Sequence, residues 1–522
     1  MTTLGSRLDL ALSALQRRFP GPGGAAAVLR EGEVLARHAW GWADAERRIA
    51  FTPATLFRMC SVTKQFTCGL MLELFPDPAV LDGAVRARLP RLRGDAPTAL
   101  HLAHNQSGLR DYWALAMLHG APAESPFGEA EASAVIGGAE TLQFAPGTRY
   151  SYCNQNFRIL SDVLAERAGR SFAELLGERV LAPAGMRTAF LAAETRAMPD
   201  GTQGYEGSQA GGFRPAVNRI LWTGDAGLGA SLDDMIAWER HIDATRDDPA
   251  SLYRRLSAPV AFADGTPAAY GFGLARHGSF GQPVTGHGGA LRGWRSHRLH
   301  AAAARVSVVV LFNHLSDARA AALDLLAAVL DAERPEPEAS LAAPDWCGAY
   351  LEPETGLSAR VDAAAPGQVG LRFGQTAERL DLRPDGTAGR DGTRLRPGAD
   401  GLGLERPGDN MRTTLVPCAP ADPAADLDLA GRYHCAELDA DLTVTEAGGL
   451  LYGAFSGRLG PGRMELLEPV GRDVLTLPCW RALDHTPPGD WTLAFRRDAA
   501  GRPRGVTVGC WLARGLPYER VA

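Results

Sequence analysis

At 522 residues the chain is long enough for two to four domains of roughly 100–200 residues each. Its 45% hydrophobic and 22% charged residues are those of a soluble globular protein, and a net charge of −6 gives no reason to expect nucleic acid or an anionic membrane as partner. Residues 1–7 have no apolar core or small-residue cleavage site, and there is no run of about 18 apolar residues, so neither a signal peptide nor a membrane span is expected.

Apolar residues at helical spacing from Leu8 to Phe19 predict a helix that ends before Pro20-Gly21. Gly24 to Arg30 and Glu33 to Trp40 read as strands, joined at Glu31-Gly32 by a hairpin turn. The mostly apolar run after Ser61 predicts a buried central helix, and Asn156 to Ala168 an amphipathic one. Val306 to Phe312, apolar but for Ser307, reads as a core strand, and Ala318 to Leu330 as a last helix. The order implies an α+β domain, an antiparallel sheet with helices packed on it.

Beyond the Pro- and charge-rich segment 332–338 the pattern changes to short strands and turns. Gly348-Ala349-Tyr350 recurs as Gly431-Arg432-Tyr433, each followed by alternating apolar residues, which suggests two small antiparallel β-barrel domains in tandem. The expected domains are 1–331, 339–418 and 426–522. The eight cysteines form no CxxC pair, and no Cys/His cluster has metal-ligand spacing. They read as reduced thiols in a cytoplasmic protein, with no metal site.

Lys64 is the only lysine; every other basic residue is arginine. It lies three residues after Ser61, which puts both side chains on one face of a helix. A serine hydroxyl is a poor nucleophile until something takes its proton. Lysine can do so if burial lowers its pKa, whereas arginine stays protonated. Tyr152, in Tyr150-Ser151-Tyr152-Cys153-Asn154, could relay a proton, and Asn154 could orient Lys64 and donate to a substrate carbonyl. A packed tyrosine beside an Asn helix cap is the plainer alternative. His287, between Gly286 and Gly288-Gly289, looks like part of an edge strand that allows close backbone approach, and a structural histidine is equally open.

In this order, Ser-x-x-Lys, Tyr-x-Asn and His-x-Gly resemble the penicillin-recognising serine hydrolases. That family includes class C β-lactamases, D,D-carboxypeptidases, some esterases and D-aminopeptidases. The resemblance covers residues 1–331 and includes His104-Asn105-Gln106-Ser107-Gly108-Leu109, similar to the family's His-x-x-Ser-Gly-Leu loop. It implies a β-lactamase-like domain in which Ser61 forms an acyl-enzyme. Lys64 and Tyr152 share the base and relay roles in an unassigned order; at the third motif His287 is implied as a catalytic residue and Gly289, with Asn154, as substrate-binding. The implied oxyanion donors are the backbone N–H groups of Ser61 and Ala290. No cofactor is implied, because such a site performs acyl transfer unaided.

Many family members have Lys-Thr-Gly where this chain has His287-Gly288-Gly289, which weakens a carboxylate-directed function, although Arg292 and Arg295 lie near enough to compensate. The two appended barrels resemble the branch that removes an unblocked N-terminal D-residue from short peptides, amides or esters. Such an enzyme needs an acceptor for a free ammonium. Asp484, in the turn-rich stretch from Pro478 to Asp490, is the candidate, set against an ordinary solvated loop. The alternatives are a carboxylesterase, a D,D-peptidase or β-lactamase, and a sensor that acylates without turnover. A homodimer is implied by the resemblance alone.

Overall fold

The computed structural model describes residues 4–333, 342, 344–374, 376–422, 425–479, 483 and 489–521. Its N-terminal part is built on one antiparallel sheet of eight strands. In chain order these are β1 (Gly23–Arg30), β2 (Glu33–Asp44), β3 (Ile49–Ala50), β4 (Tyr270–Gly271), β5 (Leu274–Ser279), β6 (Gln282–Leu291), β7 (Trp294–Ala301) and β8 (Val306–Phe312). Their spatial order is β4-β5-β6-β7-β8-β1-β2-β3, so the two ends of the domain sequence meet where β8 pairs with β1, Gly24 opposite Phe312 and Arg30 opposite Val306. Glu31 and Gly32 turn the first hairpin with φ of 56° and 76°, the doubly left-handed pair whose twist matches the flanking strands.

β8 is buried along its whole length because both of its faces are covered. Val308, Val310 and Phe312 meet Leu8, Leu12 and Leu15 of α1 (Leu4–Arg18) and Leu325 of α5 (Ala318–Leu330). Val309 and Leu311 point into the opposite core with Phe66 and Leu70 of α2 (Thr63–Leu74). Each such fully buried side chain contributes about 1.5–3 kcal/mol. α3 (Asn154–Ala168) and α4 (Leu232–Ala244) complete the α2 side, and α3 stops at Gly169, left-handed at φ 63°.

Eight short strands from Gly348–Leu351 to Met411–Pro417 then close into a barrel, with Tyr350 opposite Pro417 at the seam. Ten further strands form an open sheet, a half-barrel, ending in the hairpin of β9 (Pro503–Cys510) and β10 (Ala513–Arg520). The Gly-x-Tyr repeat has a physical basis. The Tyr350 hydroxyl donates to the Trp346 carbonyl at 2.5 Å, and that of Tyr433 to Leu429 at 2.7 Å, so each tyrosine fastens the chain entering its sheet. No helix among the described residues is long and apolar enough to cross a membrane.

One expectation needs correction. β6, which carries His287, is an interior strand paired with both β5 and β7. Its pairing to β5 ends at Gly286, however, while pairing to β7 runs on to Leu291. From His287 onward one side of β6 is therefore released from its neighbour, and there the segment before Ser61 comes against it.

Candidate active site

Ser61 lies in a 3-10 turn, Cys60–Val62, that runs directly into α2. Cys60 is held at φ 51°, a conformation unusual for any residue but glycine and costly enough to need support. Thr63 Oγ1 donates to the Cys60 carbonyl at 2.6 Å, and Ser296 Oγ from β7 donates to the Met59 carbonyl at 2.8 Å. Gly289 allows this approach: a Cβ there would stand 2.3 Å from the Met59 oxygen and 2.2 Å from Ser296 Oγ. The third motif's glycine is thus needed to seat the Ser61 turn.

Lys64 has 0% exposure. Its Nζ lies 3.0 Å from Ser61 Oγ, 2.9 Å from Asn154 Oδ1 and 2.7 Å from the Asp225 carbonyl oxygen. Burial lowers its pKa to about 8 against the opposing pull of Asp225, Asp111, Cys60 and Cys153. Near neutral pH a useful fraction is therefore free amine, able to accept the Ser61 proton. The rings of Tyr152 and Phe157 lie 4.9 and 5.3 Å from Nζ.

Tyr152 lines the same cavity as Ser61, and burial pushes its phenol well above the ordinary range, so at rest it is a neutral O–H. Asn154 opens α3. Its Oδ1 faces Lys64, while its Nδ2 and backbone N–H both donate to Asp111 Oδ2, at 3.0 and 2.6 Å. The Asn154 side chain thus bridges Asp111 and Lys64, and one of its two Nδ2 hydrogens is already engaged.

His287 presents its imidazole to the same space. Nδ1 lies against the Gly288 carbonyl, which only accepts, so the proton is on Nδ1 and Nε2 takes the Tyr270 hydroxyl at 2.9 Å. Burial and the nearby Lys64 charge lower its pKa to about 3, which leaves a neutral ring with both nitrogens occupied. Arg292 does not compensate for the missing motif lysine: it is 0% exposed and its guanidinium pairs with Glu124 at 3.0 Å. Arg295 does reach the cleft.

These groups line one cavity of about 820 Å³ that includes Ser61, Tyr152, Asn154, His287, Gly289 and Ala290. Its far walls come from the C-terminal sheets: Glu378, Asp391, Arg406 and Asp409 from the barrel, Trp511 and Leu512 from the half-barrel. Asp484 lies outside the described residues. Sequence reasoning missed Asp111, Asp225 and Tyr270. Asp111 follows the Ser107-Gly108-Leu109 loop, the one local signal that could have found it; Asp225 carries none. Among the described residues no group of three His, Cys, Asp or Glu side chains is placed to hold a metal ion.

The sequence model of the β-lactamase family matches residues 12–332, and that of D-aminopeptidase domain B matches residues 339–519. A D-aminopeptidase of Gluconobacter oxydans is 60% identical over 99% of both chains, and one of Brucella melitensis 48% identical over 98% of both. Among solved structures, the octameric penicillin-binding protein homologue from Pyrococcus abyssi aligns with a TM-score of 0.53 at 18% identity, covering 88% of this chain and 99% of its own. The D-amino acid amidase of Ochrobactrum anthropi aligns with a TM-score of 0.51, also at 18% identity, over 63% of this chain and 99% of its own. At such identities the structures speak for the fold, whereas the relatives spanning the whole chain speak for kinship. The chain belongs to the D-aminopeptidase family of β-lactamase-like serine hydrolases.

Proposed function

We propose that this D-stereospecific aminopeptidase cleaves an unblocked N-terminal D-residue, such as D-alanine, from short peptides, amides or esters through an acyl-enzyme on Ser61. The observation that carries the proposal is the hydrogen bond between Ser61 Oγ and a fully buried Lys64 whose pKa burial has brought to about 8.

In this reading Lys64 takes the Ser61 proton as Oγ bonds to the carbonyl carbon. The oxyanion is held by the backbone N–H groups of Ser61 and Ala290, each such donor being worth on the order of 3–4 kcal/mol. As the C–N bond breaks, Tyr152 gives its phenolic proton to the leaving amine and regains one from the Lys64 ammonium. Water repeats the sequence to release the amino acid. The neutral phenol supports Tyr152 as donor and Lys64 as base. The neutral His287 and the turned-away Arg292 supply no cation at the third motif, where a carboxylate-directed enzyme would use one, and Arg295 is the basic residue beside it that reaches the cleft. The division at 1–331, 339–418 and 426–522, homodimer assembly, cytoplasmic residence and an ammonium-binding Asp484 belong to the same proposal.

Release of p-nitroaniline from D-alanyl-p-nitroanilide tests it, alongside the L-isomer, the N-acetyl derivative and Ser61→Ala. Turnover confined to the free-amine D-substrate and lost in Ser61→Ala is expected. Equal turnover of the N-acetyl derivative would refute the aminopeptidase reading.

A further inference from the structure

The half-barrel's last hairpin reaches the catalytic motifs. Its two-residue turn, Trp511-Leu512, joins Cys510 to Ala513. The Leu512 carbonyl accepts the Asp111 backbone N–H at 2.9 Å, and the Arg514 carbonyl accepts Arg110 Nε at 2.9 Å. The Arg514 backbone N–H donates to Gln143 Oε1 at 3.2 Å, and Gln143 Nε2 in turn donates to Ser151 Oγ at 3.1 Å. Two chains of contact thus leave this one turn. One runs through Asp111 and Asn154 to Lys64; the other runs through Gln143 to the residue before Tyr152.

The closed barrel is tied into the same point. The Trp511 ring carries the Arg514 guanidinium 3.9 Å from its centroid and that of Arg406, a barrel residue, at 4.8 Å. Such cation–π contacts are strongest where water is excluded, and Trp511 and Arg514 are 7% and 3% exposed. Arg406 Nε also donates to Asp409, whose carbonyl accepts the Tyr150 backbone N–H at 3.2 Å. A side chain whose hydrogen-bonded supports are fixed holds its geometry; a displacement of about 1 Å far from the chemistry can cost on the order of 10²-fold in rate.

Resting on the acyl-transfer reading above, we propose that the Trp511–Arg514 turn is an interdomain clamp that positions Lys64 and Tyr152. The C-terminal sheets thereby set the reactivity of Ser61 as well as walling the cavity. Trp511, Arg514 and Gln143 are positioning residues.

The test compares Trp511→Leu, Trp511→Phe and Gln143→Leu with the wild type; Gln143 does not line the cavity. Three quantities are read: kcat and KM on D-alanyl-p-nitroanilide, the pH dependence of kcat/KM, and the rate at which a fluorophosphonate labels Ser61. Trp511→Leu and Gln143→Leu are expected to lose about tenfold or more in kcat and in labelling rate, with the acid limb moved to higher pH as water reaches Lys64. KM for Gln143→Leu stays within about twofold, since that side chain positions the catalytic groups without touching substrate. Trp511→Phe, which keeps a ring for the two guanidinium groups, loses less than about threefold. Folded Trp511→Leu and Gln143→Leu proteins with unchanged kcat, labelling rate and pH limb, or with a change in KM alone, would overturn the clamp. If Trp511→Leu does not fold, Gln143→Leu decides. A wild type that labels but does not turn over the anilide refutes the substrate reading alone, and labelling rates then decide the clamp. A wild type that neither labels nor turns over refutes both.

Discussion

Asp111 Oδ2 accepts two hydrogen bonds from Asn154, one from its backbone at 2.6 Å and one from its side chain at 3.0 Å, and so turns Asn154 Oδ1 toward Lys64. Asp111 also caps the helix Tyr112–Leu118 through the Trp113 and Ala114 amides. Asp111→Ala should therefore do two things. Loss of the cap lowers stability by about 0.5–2 kcal/mol. Release of Asn154 misplaces the base, whose contribution is of order 10²–10⁴, so kcat should fall by roughly 10². Thermal unfolding and steady-state kinetics of the purified variant separate the two effects. An unchanged kcat would contradict the orienting role.

The pH dependence of acylation should follow Lys64. Because burial lowers its pKa to about 8, kcat/KM should rise about tenfold per pH unit below that value and level off above it. Linkage has a defined sign here. The folded protein binds fewer protons at this site than the unfolded chain, so the stability contributed by Lys64 is complete above its ordinary pKa of 10.5 and is lost as pH falls through about 8. Lys64→Arg should abolish the limb together with nearly all activity, since arginine holds its proton. A persisting limb near pH 8 in that variant would assign the titration to another group.

Arg298 and Glu239 form a pair sealed between the sheet and α4, at 2.8 and 2.7 Å, with Arg298 also donating to Tyr253 and to Gln65 of α2. Their side chains are 1% and 0% exposed. Removing one partner leaves a buried charge uncompensated, so Arg298→Ala or Glu239→Ala should cost about 3–5 kcal/mol in chemical denaturation. The double replacement by apolar residues should cost less than either single change.

Cys60→Ser should keep its activity. Cys60 Sγ donates to the Arg58 carbonyl at 3.3 Å, a bond that a serine hydroxyl can also make, and nothing in the chemistry uses the thiol. The adjoining thiols of Cys68 and Cys153 are buried, and burial pushes both pKa values up, so thiol reagents should react with them slowly. A Cys60→Ser variant that folds but has lost turnover would reveal a role for the sulfur.

What could be read from the sequence was local. Ser61 and Lys64 are one helical turn apart, and the bounds of β8 and α5 follow from mostly apolar runs. The Gly-x-Tyr repeat pointed to the second and third sheets because each tyrosine bonds only four residues back. What escaped was set by pairing at a distance. Asp111 becomes a partner of Asn154 only when its helix packs beside α3, and Asp225 reaches Lys64 through a backbone carbonyl, which no side-chain pattern reveals. The same reason explains β6. Glycines can signal close backbone approach, but whether a strand lies at an edge depends on where its neighbour stops, here at Gly286.

The most direct measurement is mass spectrometry of the protein quenched in acid during turnover of a D-alanyl ester, with peptide mapping. A D-alanyl group on Ser61, accumulating in the wild type and absent from both Ser61→Ala and Lys64→Arg, is the expected result. Turnover with no acyl group on Ser61, or the same group in Lys64→Arg at wild-type rate, would contradict it.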